Sequence, residues 1–357
     1  MTLGSRQASL RARWARYSSV LTLRAAASAG AILAFTIAGT TSGSDTLRSV
    51  AASYYAKAGQ IAILTGRDST MDYYQRLLDD ADLLNAAPPD YYTTEQWQHS
   101  VQGFSQLDLS LARQLLAQSY QPMESIRGLG ETLVRSSKDG TMQPLAVYVP
   151  SGYSKDKPAP LLVFLHGRLQ SESRLIAPQF IEDVAERTGT IVIAPYGRGY
   201  YDFRGAESDV YDALDAAAQA FAIDPHKRYL AGYSMGGFST FTIAPMHPAD
   251  WQGVMCIAGS LLGSRSQLIE SKMRGTRFYV LTGARDEIVP TLFPTLTAIF
   301  LRDAGIPVTF YSQADGTHLL YSLHSILSQA WSDMESGVVR SPEGLGAGGQ
   351  GLPEAMP

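Results

Sequence analysis

The sequence is short of cysteine, of excess positive charge and of strongly apolar runs, and each shortage removes a class of protein. A single cysteine, Cys256, in 357 residues excludes an internal disulfide. It sits in the apolar stretch 253–258 and reads as a buried thiol rather than a nucleophile. The net charge of −4 gives no reason to expect nucleic acid as a partner. No nucleotide-binding glycine pattern and no metal-ligand spacing stands out, so no cofactor is expected. Acidic residues are absent from positions 1–44, which hold five arginines; that segment carries +5 and the remainder −9.

The basic start leads into the uncharged stretch 25–44, with its apolar centre at 31–38. A positive region followed by a short apolar one suggests an export signal. Its Ala, Gly, Ser and Thr content disfavours a strong membrane span, although about twenty uncharged residues can cross a bilayer as a signal-anchor. An organelle transit peptide is the other reading of an arginine-containing, acid-free start. Under either export reading the folded part lies away from the arginines, in the periplasm, outside the cell or anchored facing outward.

Residues 45–125 read as helical. Tyr74, Leu77, Leu78, Ala81 and Leu84 recur at helical spacing, Pro88 and Pro89 end that helix, and Trp97, Val101, Phe104, Leu111 and Leu115 mark a second apolar face. No chemistry is visible there, and His99 reads as a surface histidine. These helices either pack on a flank or reach over the site described next.

From residue 131 the pattern turns to strands. Segments 131–137 and 142–149 flank Lys138-Asp139-Gly140-Thr141, a hairpin signal, and Pro144 suits an edge strand. Apolar runs at 161–165, 191–194, 228–231, 253–258, 278–281 and 308–312 then alternate with helical segments, among them 175–187, 209–221 and 292–303. Two antiparallel strands and six parallel ones, with helices on both faces, make an eight-stranded, mostly parallel α/β sheet. The domain plan is an export segment (1–44), a helical region (45–125), a catalytic domain (126–336) and a Gly/Pro-rich tail (337–357) expected to be disordered.

Chemistry concentrates at Gly232-Tyr233-Ser234-Met235-Gly236. This G-x-S-x-G pattern follows a strand-like run and precedes a helix expected over 238–246, a context in which the serine sits on a strained turn with its oxygen exposed. A serine hydroxyl needs a base, and the base needs an orienting acid. Asp286 lies just past the strand at 278–281, and His318 follows the strand at 308–312, which gives the order Ser, acid, His. Glu287 competes for the acid role. Asp315 reads as a turn former beside Gly316, and His324 as lying too deep in the next helix. His226 and His247 read as surface residues, and His166 as structuring its loop. The oxyanion donors expected are the backbone N–H groups of Met235 and of Arg168, after His166-Gly167. The loop 196–203 either lines an acyl or leaving-group pocket or packs on helices. Tyr196 and Arg198 of this loop, and Tyr233 next to the serine, are the substrate-facing candidates, with Arg198 suited to a carboxylate. About eighteen residues separate the strand at 253–258 from the next, too few for an inserted lid.

Leu165-His166-Gly167, residues 224–237 (DPHKRYLAGYSMGG), Gly283-Ala284-Arg285-Asp286 and Gly316-Thr317-His318 together resemble the α/β-hydrolase fold. Within that fold, residues 131–334 look most like polyhydroxybutyrate-depolymerase-like and feruloyl-esterase-like esterases, which grade into prolyl-oligopeptidase-type catalytic domains. The resemblance implies a Ser-Asp-His triad at Ser234, Asp286 and His318. It also implies cleavage of a small-molecule or polymeric ester through an acyl-enzyme, with a serine peptidase, acyl transfer to another alcohol, or an idle scaffold as alternatives. Residues 45–125 match neither a β-propeller nor a carbohydrate-binding module, so substrate class stays open.

Overall fold

The computed structural model describes residues 43–57, 61, 66–198, 203 and 205–340. Residues 1–42, on which the export expectation falls, and 341–357, most of the expected disordered tail, lie outside the described residues. No helix among the described residues is long and apolar enough to cross a membrane.

The eight strands are β1 (Gly128–Arg135), β2 (Met142–Val149), β3 (Ala159–Leu165), β4 (Ile191–Pro195), β5 (Ile223–Tyr233), β6 (Gly253–Ile257), β7 (Arg277–Gly283) and β8 (Val308–Gln313). They form one sheet in the order β1-β2-β4-β3-β5-β6-β7-β8, antiparallel through β1, β2 and β4 and parallel from there on. The apolar runs of the parallel strands are continuous because both faces are covered. Leu161, Val163, Leu230, Val254 and Phe278 point to one core, and Leu162, Phe164, Tyr229, Met255 and Tyr279 to the other. The first core is closed by α6 (Glu207–Ala220), α7 (Met235–Ile243), α8 (Ser266–Lys272) and α9 (Leu292–Asp303). The second is closed by α4 (Glu172–Ile176), α5 (Gln179–Thr188) and α10 (His324–Ser336).

Three local expectations are corrected. The single helix over 175–187 is two, because Pro178 holds extended backbone (φ −62°, ψ 130°) between α4 and α5. Pro144 is not on an edge: β2 pairs on both sides. Its carbonyl accepts from Tyr196 N at 3.1 Å, so its missing N–H faces the end of β4, where that strand has already stopped. The helix after the serine starts at Met235, three residues earlier than 238, because it begins at the turn itself.

Helices α1 (Gly43–Lys57), α2 (Gly66–Leu83) and α3 (Thr94–Ala117) precede the sheet. Helix α3 opens with a capping box: Gln96 N donates to Thr93 Oγ1 at 3.2 Å and Thr93 N to Gln96 Oε1 at 3.0 Å. Leu47, Tyr54, Leu77, Leu111 and Leu115 bury one another against Leu133 of β1, so these helices cover the antiparallel edge. His99 lies at the surface as expected, and its Nε2 meets Glu182 Oε1 at 2.9 Å, which joins α3 to α5.

A buried charge cluster fastens this layer to the sheet. Arg76 donates to Asp108 Oδ2 at 2.7 Å, to Glu172 Oε1 at 2.8 Å and to Ser173 Oγ at 2.8 Å, while Glu131 of β1 lies 3.6 Å away. Arg174 donates to Asp80 Oδ1 at 2.7 Å. Burial opposes ionisation of Asp108, but the Arg76 guanidinium prevails and holds its pKa below the usual carboxylate range. Burial, reinforced by the Asp108 charge, pushes Asp80 and Glu131 well above that range. Breaking such a set by removing one member costs about 3–5 kcal/mol.

A pH dependence follows. Folding raises the pKa of Glu131, so its contribution is fully present below the unfolded carboxylate pKa, ~4, and is lost as pH rises through the folded value. Glu131→Gln keeps a donor that never ionises. Urea unfolding between about pH 5 and pH 9 should show the variant gaining stability relative to the parent as pH rises. A difference independent of pH would mean Glu131 holds no proton.

Candidate active site

Strand β5 ends at Tyr233 and α7 begins at Met235, so Ser234 alone makes the turn, at φ 53° and ψ −113°. That is costly backbone for a residue with a Cβ, and it is held by Ser234 N donating to Ile257 O at 2.8 Å and Phe238 N to Ser234 O at 3.0 Å. The crossing needs Gly236: a Cβ there would lie 2.3 Å from Leu165 O. Three of the five other non-glycine residues of positive φ among the described residues, Leu169, Arg198 and Ala258, lie in the segments after β3, β4 and β6, while Tyr91 and Gln118 lie among the N-terminal helices. With Ser234, four of the six such residues thus sit at carboxyl ends of strands.

Ser234, Asp286 and His318 are brought together. His318 Nε2 lies 2.8 Å from Ser234 Oγ, and His318 Nδ1 lies 2.8 Å from Asp286 Oδ2. Asp286 is buried and its other oxygen, Oδ1, accepts from the backbone N–H of Ile288 and Val289, both at 2.8 Å. The turn after β7 thus orients the carboxylate before the histidine arrives. The histidine loop docks against that turn: Arg285 N donates to Gly316 O at 2.8 Å, and a Cβ on Gly283 would lie 2.4 Å from the same carbonyl. Chemically, the arrangement can take a proton from Ser234 and hold the resulting imidazolium against a fixed anion.

Met235 opens α7 and so presents a first-turn N–H with no acceptor within the helix. Gly236 N donates to His166 O at 3.1 Å, which pins the turn carrying Gly167 and Arg168 to the start of α7. His166 is itself buried, with Nδ1 at 2.9 Å from Gly167 O and Nε2 at 3.0 Å from Tyr196 O; burial lowers its pKa. It structures the loop.

The other candidates fall elsewhere. Glu287 points outward and is exposed. Asp315 accepts from Gln313 Nε2 at 2.7 Å within its turn. His324 is the first residue of α10, not a turn inside it, and its Nδ1 faces Tyr321 O at 2.8 Å. His247 packs on Tyr211, ring centroids 4.4 Å apart, and His226 lies in an exposed part of β5.

Two substrate-facing expectations are corrected and one is redirected. The Arg198 guanidinium is already taken by Asp209, by Asp139 at 2.5 Å and by Ser136 Oγ at 2.8 Å, so it secures the β1–β2 hairpin rather than awaiting a carboxylate. The Tyr196 side chain is buried, 3% exposed. Tyr233 turns its hydroxyl to His318 O at 2.7 Å and supports the histidine from beneath. Residues 199–202 and 204 of that loop lie outside the described residues.

Comparison with known proteins finds likeness over part of the chain. Residues 136–276 match the family described as "Putative esterase". The match takes in Ser234 and ends before Asp286 and His318. A bifunctional acetylxylan esterase/xylanase of Neocallimastix patriciarum is 29% identical over 109 residues, 29% of this chain and 16% of that protein. A feruloyl esterase C, described as probable, of Aspergillus oryzae is 24% identical over 122 residues, 32% of this chain and 45% of the other. The chain thus spans less than half the length of these curated relatives. The solved ferulic acid esterase of Anaeromyces mucronatus superposes with a TM-score of 0.50 at 14% identity, covering 61% of this chain and 95% of that one, a likeness of fold.

The geometry makes a ranking testable. Asp286→Asn should slow phosphonylation of Ser234 by a fluorophosphonate by roughly 10⁴, because the amide favours the wrong imidazole tautomer. Glu287→Gln should change it little, and His324→Ala far less than His318→Ala. The reverse order in either pair, measured by stopped-time labelling, would displace the acid or the base. The chain therefore has the α/β-hydrolase fold, and within it residues 136–276 resemble the esterase family.

Proposed function

We propose that the protein is a serine hydrolase cleaving carboxylic esters through an acyl-enzyme, with Ser234 as nucleophile, His318 as general base and acid, and Asp286 as orienting anion. The observation that carries this reading is the continuous path Ser234 Oγ–His318–Asp286, two contacts of 2.8 Å. His318 Nε2 takes the hydroxyl proton as Oγ bonds to the ester carbonyl carbon. The oxyanion accepts from the N–H groups of Met235 and Arg168. The imidazolium gives its proton to the departing alkoxide as the C–O bond breaks. Water, deprotonated in turn by His318, attacks the acyl-enzyme; the acid leaves and Ser234 regains its proton.

Apolar side chains flank the reacting groups. Leu169 next to Arg168 and Leu319 next to His318 are 46% and 45% exposed, and Leu292 and Phe293, on the element after Asp286, are exposed as well. Such surface favours esters with an apolar acyl or alcohol part. The basic, acid-free start ahead of an uncharged stretch supports export, with cleavage or membrane anchoring of that segment.

The test is a panel of aliphatic p-nitrophenyl esters, methyl ferulate and peptide amides, compared by kcat/KM. Ester turnover should exceed amide turnover by orders of magnitude and rise with acyl chain length, about tenfold for 1.4 kcal/mol of added apolar contact. Peptide cleavage at equal efficiency would make it a peptidase. Absence of turnover on every substrate, with the fold intact, would make it a scaffold.

A further inference from the structure

We infer that Tyr92, in the loop between α2 and α3, is a positioning residue for His318: the N-terminal helices do not only cover the sheet edge but also brace the histidine loop from outside. The inference rests on the hydrolase reading above and adds a residue to it from a region in which the sequence shows no chemistry.

His318 stands between two short turns, 313–317 and 319–323. From inside, the loop is held by Arg285 N on Gly316 O at 2.8 Å and by Tyr233 Oη on His318 O at 2.7 Å. From outside, both turns meet the α2–α3 loop. The Tyr92 ring lies on Tyr321, centroids 4.0 Å apart and planes 31° apart, and the Tyr91 hydroxyl approaches Asp315 O at 3.4 Å. Tyr321 is in turn held edge-on by Phe180 of α5, centroids 5.3 Å apart. Its own turn reaches back across His318, since Ser322 Oγ accepts from Thr317 N at 2.9 Å. Pressure on Tyr321 therefore bears on the residues immediately before and after the imidazole.

The bracing loop is stiff enough to transmit this. Pro88 and Pro89 restrict its entry, Tyr92 N donates to Pro89 O at 3.2 Å, and Thr93 is locked in the capping box of α3. Trp97 packs edge-on against Tyr92, centroids 5.5 Å apart, and its Nε1 donates to Ala86 O at 3.2 Å. Tyr91 takes φ 74°, a left-handed conformation that a tyrosine adopts only when its surroundings impose it. Strain in a loop distant in sequence, spent on presenting two tyrosines to the histidine loop, is what a purely protective layer would not require.

Tyr92→Ala in the full chain should lower kcat for an ester by roughly ten- to a hundredfold, with KM changed by less than about threefold, since a loosened imidazole misplaces the base without touching substrate. Tyr92→Phe should restore kcat, because the ring contact needs no hydroxyl. Should Tyr92→Ala fail to fold, Tyr92→Leu keeps apolar bulk without a flat ring and should show the same kcat loss at an unchanged melting temperature. A folded Tyr92→Ala or Tyr92→Leu with parental kcat, or a Tyr92→Phe as impaired as the alanine variant, overturns the inference. Proton NMR supplies a readout that needs no turnover: the low-field Nδ1–H resonance of His318 should be present in the parent and broadened in Tyr92→Ala. If the parent hydrolyses no ester, the hydrolase reading fails by itself, and an unaltered resonance in Tyr92→Ala would separately reject the brace.

Discussion

The backbone at Ser234 is bent into a left-handed conformation that a serine adopts only under compulsion, and the rest of the fold supplies the compulsion. Such a residue costs on the order of 1–3 kcal/mol. The cost is met by neighbouring strands on both sides: β6 accepts the Ser234 N–H, and the carbonyl after β3 accepts that of Gly236. The same crossing leaves no room for a Cβ at Gly236, which explains the small residue after Met235. Because β5 lies between β3 and β6, the serine oxygen emerges where the loops after β3, β6, β7 and β8 converge. An acid from one of those loops and a histidine from another then need only short turns to reach it.

Around this point the molecule is layered by how far in sequence its supports lie. The acid turn after β7 is self-contained, with Asp286 fixed by two N–H groups of its own loop. The histidine loop is longer and borrows support from Tyr233, from Arg285 and, on the outside, from the α2–α3 loop. That outer layer is itself anchored by Arg76 to Glu172 and by Arg174 to Asp80, contacts that are largely buried. Ion pairs of this kind give little net stability over an apolar core but tolerate few alternative arrangements. They fix where α2 ends, and hence where the tyrosines that follow it are delivered.

Much of this was legible in the sequence because it depends on local pattern. Continuous apolar runs marked the parallel strands, and the eight-stranded sheet with two antiparallel strands at its edge is the one expected. The chain order of Ser234, Asp286 and His318 relative to strand ends also pointed to residues that the fold brings within hydrogen-bonding distance. What was not legible depends on pairs far apart in the chain. Arg198 read as a free cation because its partners, Asp139 and Asp209, become neighbours only when the hairpin folds onto α6. Tyr233 read as facing substrate, since nothing local shows that its hydroxyl turns to the carbonyl of His318. Arg76 and Glu131 carry no local mark of meeting across α2 and β1. Pro178 does carry one, since a proline disfavours helix at the residue before it, but the apolar periodicity runs on either side of it.

We propose that Ser234 is the activated nucleophile, its hydroxyl primed by His318. The most direct measurement is peptide mapping by mass spectrometry of the protein after reaction with a fluorophosphonate, alongside the same reaction on Ser234→Ala. One phosphonyl group per chain is expected, on the peptide containing Ser234, and none on the variant. An adduct on any other residue, equal labelling of the variant, or no adduct on a folded parent would contradict it.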